Sequence, residues 1–202
     1  QTPGRMEFVG GDRVSVFVDY AHTPDALEKA CETLSDLHPN RLITIFGCGG
    51  DRDRSKRPLM AEAASRHSQF CIVTSDNPRN EDPQTIIDET IPGLGSARYE
   101  VLIDRREAIY STIENALPGD LILIAGKGHE TYQEVNGKRQ YFDDREVARR
   151  ALEIRKKTEE VQAKSKEVDE LEERLEKAES LRSQFEEHKM KNEFQENGYR
   201  DW

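Results

Sequence analysis

Short apolar runs alternating with helix-length amphipathic stretches constrain this chain more than any other feature. The runs are Val14–Tyr20, Leu42–Gly47, Phe70–Thr74, Tyr99–Ile103 and Leu121–Ala125. A strand that is apolar at consecutive positions must be covered on both faces, which calls for a parallel sheet between two helical layers. The intervening patterns, Pro24–Leu37, Arg57–Arg66, Pro83–Ile91 and Arg105–Leu117, have the length and periodicity to supply those layers. Pro24, Pro58 and Pro83 fall near helix starts, where a missing N–H costs little, and Asp104 is placed to cap its helix. Asn136-Gly137, between Tyr132–Val135 and Arg139–Phe142, reads as a hairpin turn. The expected fold is α/β: a Rossmann-like, mostly parallel sheet flanked by helices, followed by a long helix from about Asp143.

Beyond Arg155 the composition changes. Of the 48 residues from 155 to 202, 25 are charged, none is proline and only Gly198 is glycine. Written as heptads, Ile154, Val161, Val168 and Leu175 form one seam, while Lys157, Lys164, Leu171, Ala178 and Phe185 form the other. The first seam is good and the second carries two lysines. Glu160–Lys164 and Glu173–Lys177 support a helix in the favourable direction. A solvated single helix and a weak coiled coil both satisfy this pattern, and the second would make a helix-mediated homo-oligomer. The expected division is therefore a domain over residues 1–154 and a charged helical extension over 155–202.

With 40 Asp and Glu against 30 Lys and Arg, and positive charge scattered, nucleic acid is not expected as a partner. No apolar run approaches membrane-spanning length and the start carries no signal peptide, so no membrane association and a cytoplasmic location are expected. Cys31, Cys48 and Cys71 have no paired metal-ligand spacing and read as reduced thiols, the first and last as small buried apolar residues. Cys48, in a glycine-rich loop, has the placement of a nucleophile but no nearby base to activate it.

The polar segments that follow the apolar runs carry the chemistry. In Ser75-Asp76-Asn77-Pro78-Arg79, Arg79 offers a permanently charged planar fork, Asn77 a donor and an acceptor, and Pro78 stiffens the turn. Such a tip suits a carboxylate with a neighbouring ammonium. Asp19-Tyr20-Ala21-His22-Thr23-Pro24-Asp25 opens a helix: Asp19 can meet a ribose hydroxyl or a metal-bound water and His22 a phosphate, or the segment is simply a cap with His22 packed. Gly47–Asp53 lets backbone approach a ligand, or is a surface turn whose charges pair locally; it is not a phosphate loop. In Gly126-Lys127-Gly128-His129-Glu130, Glu130 can receive an ammonium and Lys127 a phosphate or carboxylate, unless both face water. If all these loops leave one edge of a parallel sheet, they share a cleft.

In this order and at these separations the segments resemble the C-terminal domain of the Mur ligases, specifically of the branch that adds meso-2,6-diaminopimelate to UDP-N-acetylmuramoyl-L-alanyl-D-glutamate. The resemblance runs from Pro3-Gly4-Arg5-Met6-Glu7 to Phe142-Asp143-Asp144-Arg145-Glu146. It implies that Asn77 and Arg79 recognise the incoming amino acid, with Arg79 on the distal carboxylate that separates diaminopimelate from lysine. Asp76 belongs to the same motif, and Arg52, Gly126 and Glu130 are further contacts to that amino acid. Arg5 and Asp19 are implied to touch the nucleotide, and His22 to lie near its phosphates. The implied reaction is ATP-driven amide formation through an acyl phosphate on the D-glutamate, with magnesium neutralising charge. Such ligases place UDP-binding and ATP-binding domains ahead of this one, and the phosphate loop and metal ligands of the latter are not in this sequence. The expectation is a fragment, split product or fusion that binds no metal itself, holds neither ATP nor Mg2+ alone, meets the UDP-MurNAc-dipeptide through domains elsewhere, and does not ligate unaided. Two other readings compete: an interaction protein whose tail self-associates with the ligase domain as passenger, and a generic nucleotide-binding domain.

Overall fold

The computed structural model describes residues 2–197, and the side chains of 2–192; the end of the extension expected over 155–202 lies outside the described residues. By contacts the chain divides into two units, Gln1–Arg155 and Lys156–Trp202.

In the first unit the elements run β1 (Glu7–Gly10), β2 (Ser15–Asp19), α1 (Pro24–Ser35), β3 (Arg41–Phe46), α2 (Lys56–His67), β4 (Phe70–Val73), α3 (Pro83–Thr90), β5 (Tyr99–Val101), α4 (Arg105–Asn115), β6 (Asp120–Ala125), β7 (Tyr132–Val135), β8 (Lys138–Tyr141) and α5, which starts at Asp144 and continues to Asn197. One 3-10 turn, Ile91–Leu94, extends α3. The main sheet is ordered β1-β2-β6-β3-β4-β5, parallel except for β1, which pairs antiparallel with β2. Strand β1 is the one element that the apolar pattern does not announce. Glu-Phe-Val-Gly is short and only half-buried, held at the sheet edge by its pairing with β2.

Alternation along each strand splits the core into two layers. Leu121, Leu123 and Ala125 of β6, with Leu42 and Phe46 of β3, face Leu27, Leu34, Met60 and Ala64 of α1 and α2. Ile122, Ile124, Ile43 and Ile45 face the other way, against Ile109 and Ile113 of α4 and Val147, Ala148 and Ala151 of α5. Both faces being dry explains why these strands read as continuous apolar runs. Thr23, Asp82 and Asp104 cap α1, α3 and α4, each accepting from a backbone N–H in the first turn.

This topology puts the carboxyl ends of β2, β6, β3 and β4 side by side on one rim. The four polar segments leave from there. A buried ion pair ties the rim together: Arg105 donates to both oxygens of Asp144 (2.8 and 2.7 Å), to Ala125 O at the end of β6 (2.9 Å) and to Ser75 O after β4 (3.4 Å). Both side chains are fully buried.

In the second unit the described residues from Lys156 to Asn197 are helical. Val161, Val168, Leu171, Leu175, Leu181, Phe185 and Met190 are all exposed on it.

Candidate functional site

The segment after β4 is the centre of the rim. Asp76 and Asn77 are buried, and the chain turns at Arg79 with φ of 52°, in the left-handed region that a non-glycine residue rarely adopts. The β7–β8 hairpin holds that conformation. Arg79 N donates to Glu134 O (3.0 Å), Asn136 N donates to Arg79 O (2.6 Å), and Glu134 N donates to Asn77 Oδ1 (2.9 Å). Gln133 Nε2 adds a bond to Asp76 O at 2.7 Å. The Arg79 fork is aimed by Nη1 donating to Gly50 O at 2.7 Å, which leaves Nη2 and Nε for a ligand.

The loop after β3 lies flat against this segment because it is glycine. A Cβ on Gly50 would fall 1.9 Å from Pro78 O, and one on Gly47 would fall 2.3 Å from Thr74 O. Its charged residues do not pair with one another. Asp51 accepts from Asn80, while Arg54 joins buried Arg57 in binding Glu81 and Glu89. The Arg57 guanidinium, with the Asp51 N–H, holds the Glu81 carboxyl down to about 2. Arg52 remains exposed at the cleft edge.

Lys127 departs from both expectations for its loop. It neither faces water nor is offered to a ligand: it is fully buried beneath the rim. Its ammonium donates to Asn77 Oδ1 (3.0 Å) and lies 3.4 Å from Glu130 Oε2 and 3.5 Å from Asp76 Oδ1. Asn77 Nδ2 in turn donates to Glu130 Oε2 at 3.1 Å. The amide of Asn77 is thereby fixed in one orientation, oxygen toward the lysine and nitrogen toward the glutamate. Two carboxylates and one ammonium leave a local charge of minus one.

Arg52, Asp76, Asn77, Arg79, Gly126 and Glu130 all line one cleft of about 530 Å³, with Tyr20, His22 and Thr23 also in its wall. That volume suits a small ligand. Arg5 and Asp19 are not part of its lining. Both oxygens of Asp19 accept backbone N–H groups, from Met6 (2.6 Å) and Ala21 (2.8 Å), while the Arg5 guanidinium stands 5.0 Å over the Tyr20 ring. His22 is exposed, with Nδ1 2.8 Å from Tyr20 O and its ring tilted against that of Tyr20. Cys31 and Cys71 are buried, as their neighbours imply. Cys48 is not an activated nucleophile: burial pushes its thiol up to about 11, away from the reactive thiolate.

Among the described residues no group of three or more His, Cys, Asp or Glu side chains converges to hold a metal ion. Nor is any described helix long and apolar enough to cross a membrane.

Arg57 and Arg105 organise this site without having been singled out for it by the sequence pattern, and Lys127, read there as a ligand contact or a solvent-facing charge, is instead a buried counter-ion. Lone basic residues in polar stretches carry no signal of burial. The available hint lay in the acids elsewhere in the chain, Glu81, Glu89, Asp144 and Glu130, which pair with them in the fold.

Comparison with known proteins is consistent throughout the first unit. The family model "Mur ligase, glutamate ligase domain" matches residues 4–128. The UDP-N-acetylmuramoyl-L-alanyl-D-glutamate--2,6-diaminopimelate ligase of Syntrophomonas wolfei is 57% identical over 154 residues, covering 74% of this chain and 32% of that protein. The enzyme of the same name from Bacillus cereus is 50% identical over 159 residues, covering 78% and 32%. A solved structure of such a ligase superposes with a TM-score of 0.71 at 49% identity, over 76% of this chain and 32% of that one. The chain thus spans about a third of the length of the relatives it matches. The chain belongs to the Mur ligase family and contains that family's C-terminal, glutamate ligase domain.

Proposed function

We propose that the rim cleft captures meso-2,6-diaminopimelate for the ligase that adds it to UDP-MurNAc-L-Ala-D-Glu. One observation carries the reading: the lining of this one cleft combines guanidinium donors with carboxylate and amide acceptors. Arg79, with Arg52 at the edge, presents guanidinium donors, whereas Asp76, Asn77 and Glu130 present acceptors backed by a single buried lysine. A residual charge of minus one beside a free guanidinium edge complements an ammonium and a carboxylate on one carbon. Arg79 takes the distal carboxylate, Asp76 and Glu130 the adjacent ammonium, Gly126 allows close approach of the backbone, and Arg52 faces the second acid group. Lysine, with no distal carboxylate, leaves Arg79 unpaired. The names of the relatives, which specify this amino acid, support the same assignment.

His22 lines the cleft wall with Tyr20 and Thr23, where it can meet an acyl phosphate. Arg5 and Asp19 shape that wall toward the nucleotide: Asp19 through the backbone amides it anchors, Arg5 through Tyr20. ATP and Mg2+ belong to the complete ligase in this reading, and no step is assigned to them here. The chain's contribution is to bind, orient and neutralise the incoming amino acid, which converts an encounter into a positioned attack.

Calorimetry with meso-diaminopimelate and with lysine tests the reading. Diaminopimelate should bind more tightly by roughly 10- to 150-fold, the value of one charge-assisted contact of about 1.5–3 kcal/mol. Arg79→Ala should erase that difference and leave lysine binding unchanged. Equal weak binding of the two amino acids by the parent chain would refute it.

A further inference from the structure

The ligase site leaves the second unit without a role, and its surface is not that of a solitary helix. Val161, Val168, Leu171 and Leu175 recur at heptad spacing and are 67%, 52%, 52% and 60% exposed. A solvated helix gains nothing from such a stripe. We propose that this helix pairs with the same helix of a second copy of the chain, antiparallel, in one register.

The charges choose the partner's direction. In a parallel pair each seam residue meets its own copy, so Lys157, Lys164 and Arg182 would each face a like charge. Flanking positions add Glu167 against Glu172 of the other copy. An antiparallel pair removes most of these clashes. When Val168 packs on Leu171 of the other copy, Val161 meets Ala178 and Leu175 meets the aliphatic stem of Lys164. Lys157 then lies by Arg182, where both long side chains extend to water. Glu167 falls beside Arg174 of the other copy, and the twofold axis repeats that attractive pair. The neighbouring registers are worse. One heptad to either side, Glu167 meets its own copy or Arg174 meets its own copy. A second copy is therefore the occupant that the seam and its flanking charges both fit, and the pairing does not depend on what the rim cleft binds.

Sedimentation velocity and equilibrium on the full chain, over a wide concentration range, test this with charge-swapped variants. Glu167→Lys and Arg174→Glu are exposed substitutions within the second unit, outside the ligase domain's residues. Each should weaken the dimer roughly 3- to 30-fold, because two exposed pairs change sign together. The double variant should return to within about threefold of the parent. In a parallel dimer Glu167→Lys would instead meet Glu172 and tighten association. A monomer at every concentration, an assembly larger than a dimer, tighter pairing by Glu167→Lys, or single variants indistinguishable from the parent each overturn the proposal.

Discussion

Replacing Arg105 by methionine isolates the contact that fixes the rim. The side chain is fully buried, makes two bonds to Asp144 and holds the carbonyls of Ser75 and Ala125, one residue before Asp76 and Gly126. Methionine keeps most of the volume but strands the Asp144 carboxylate in a dry interior. Removing one partner of a buried ion pair costs about 3–5 kcal/mol. For a domain of this size each kcal/mol lowers the melting temperature by about 2–4 °C, so the fall should be roughly 6–20 °C. Adding Asp144→Leu should recover most of the loss, since an apolar pair of similar volume is often no worse than the ion pair it replaces. Urea denaturation of the parent, both single variants and the double variant forms the required cycle. The two variants should also differ at the ligand site. The double variant regains stability but not the anchored carbonyls, so its affinity for diaminopimelate should stay below the parent's. A single variant costing less than about 1 kcal/mol, or a double variant as unstable as the sum of the singles, would refute the reasoning.

Three further outcomes follow from the rim. Lys127→Met leaves Asp76 and Glu130 without their common counter-ion and should cost about 1–3 kcal/mol while weakening diaminopimelate; a variant as stable and as tight-binding as the parent would contradict the buried bridging role. Gly50→Ala brings a methyl within 1.9 Å of Pro78 O, so calorimetry should show the recognition loop's affinity lost even where circular dichroism shows the fold retained; unchanged affinity would count against the close approach. Glu81 is held at about 2 rather than 4.5 by Arg57 and the Asp51 N–H, so its stabilisation is complete above pH 4.5 and is lost as the pH falls toward 2. The difference in urea midpoint between the parent and Glu81→Gln should therefore shrink across that interval; a difference that stays constant from pH 7 to pH 2 would remove the argument.

Strands with leucine on one face and isoleucine on the other announce themselves, because burial on both sides leaves no polar position to blur the pattern. That is why β3 and β6 are legible to within a residue, whereas β1, half-wet at an edge, is not. Helix starts were legible through Pro24, Pro83 and Asp104, because first-turn prolines and caps are local features. Helix ends were less so: α1 stops at Ser35 and α4 at Asn115, short of the apolar residues Leu37 and Leu117 that prolong their patterns. At the site the loops themselves were visible as glycine and charge after an apolar run. Which charges face inward was not. Lys127 is buried by Asp76, Asn77 and Glu130 together, and no periodicity records a contact between residues 50 positions apart. Arg5 and Asp19 illustrate the same limit from the other side, since their side chains hold the wall rather than line it.

The hairpin turn at Asn136-Gly137 deserves a last physical consequence. It never reaches the cleft, yet its backbone is hydrogen-bonded to Arg79 on both sides of the peptide. The backbone from which the fork springs is thus held by a ribbon on the periphery, whose own residues Lys138–Tyr141 are exposed. Lengthening or shortening that ribbon would shift the Arg79 backbone and with it the guanidinium, together with Tyr132, which the ribbon itself contributes to the cleft lining. Under the proposed reading, the choice of amino acid would respond to a change in this surface ribbon with no substitution at Arg79 itself.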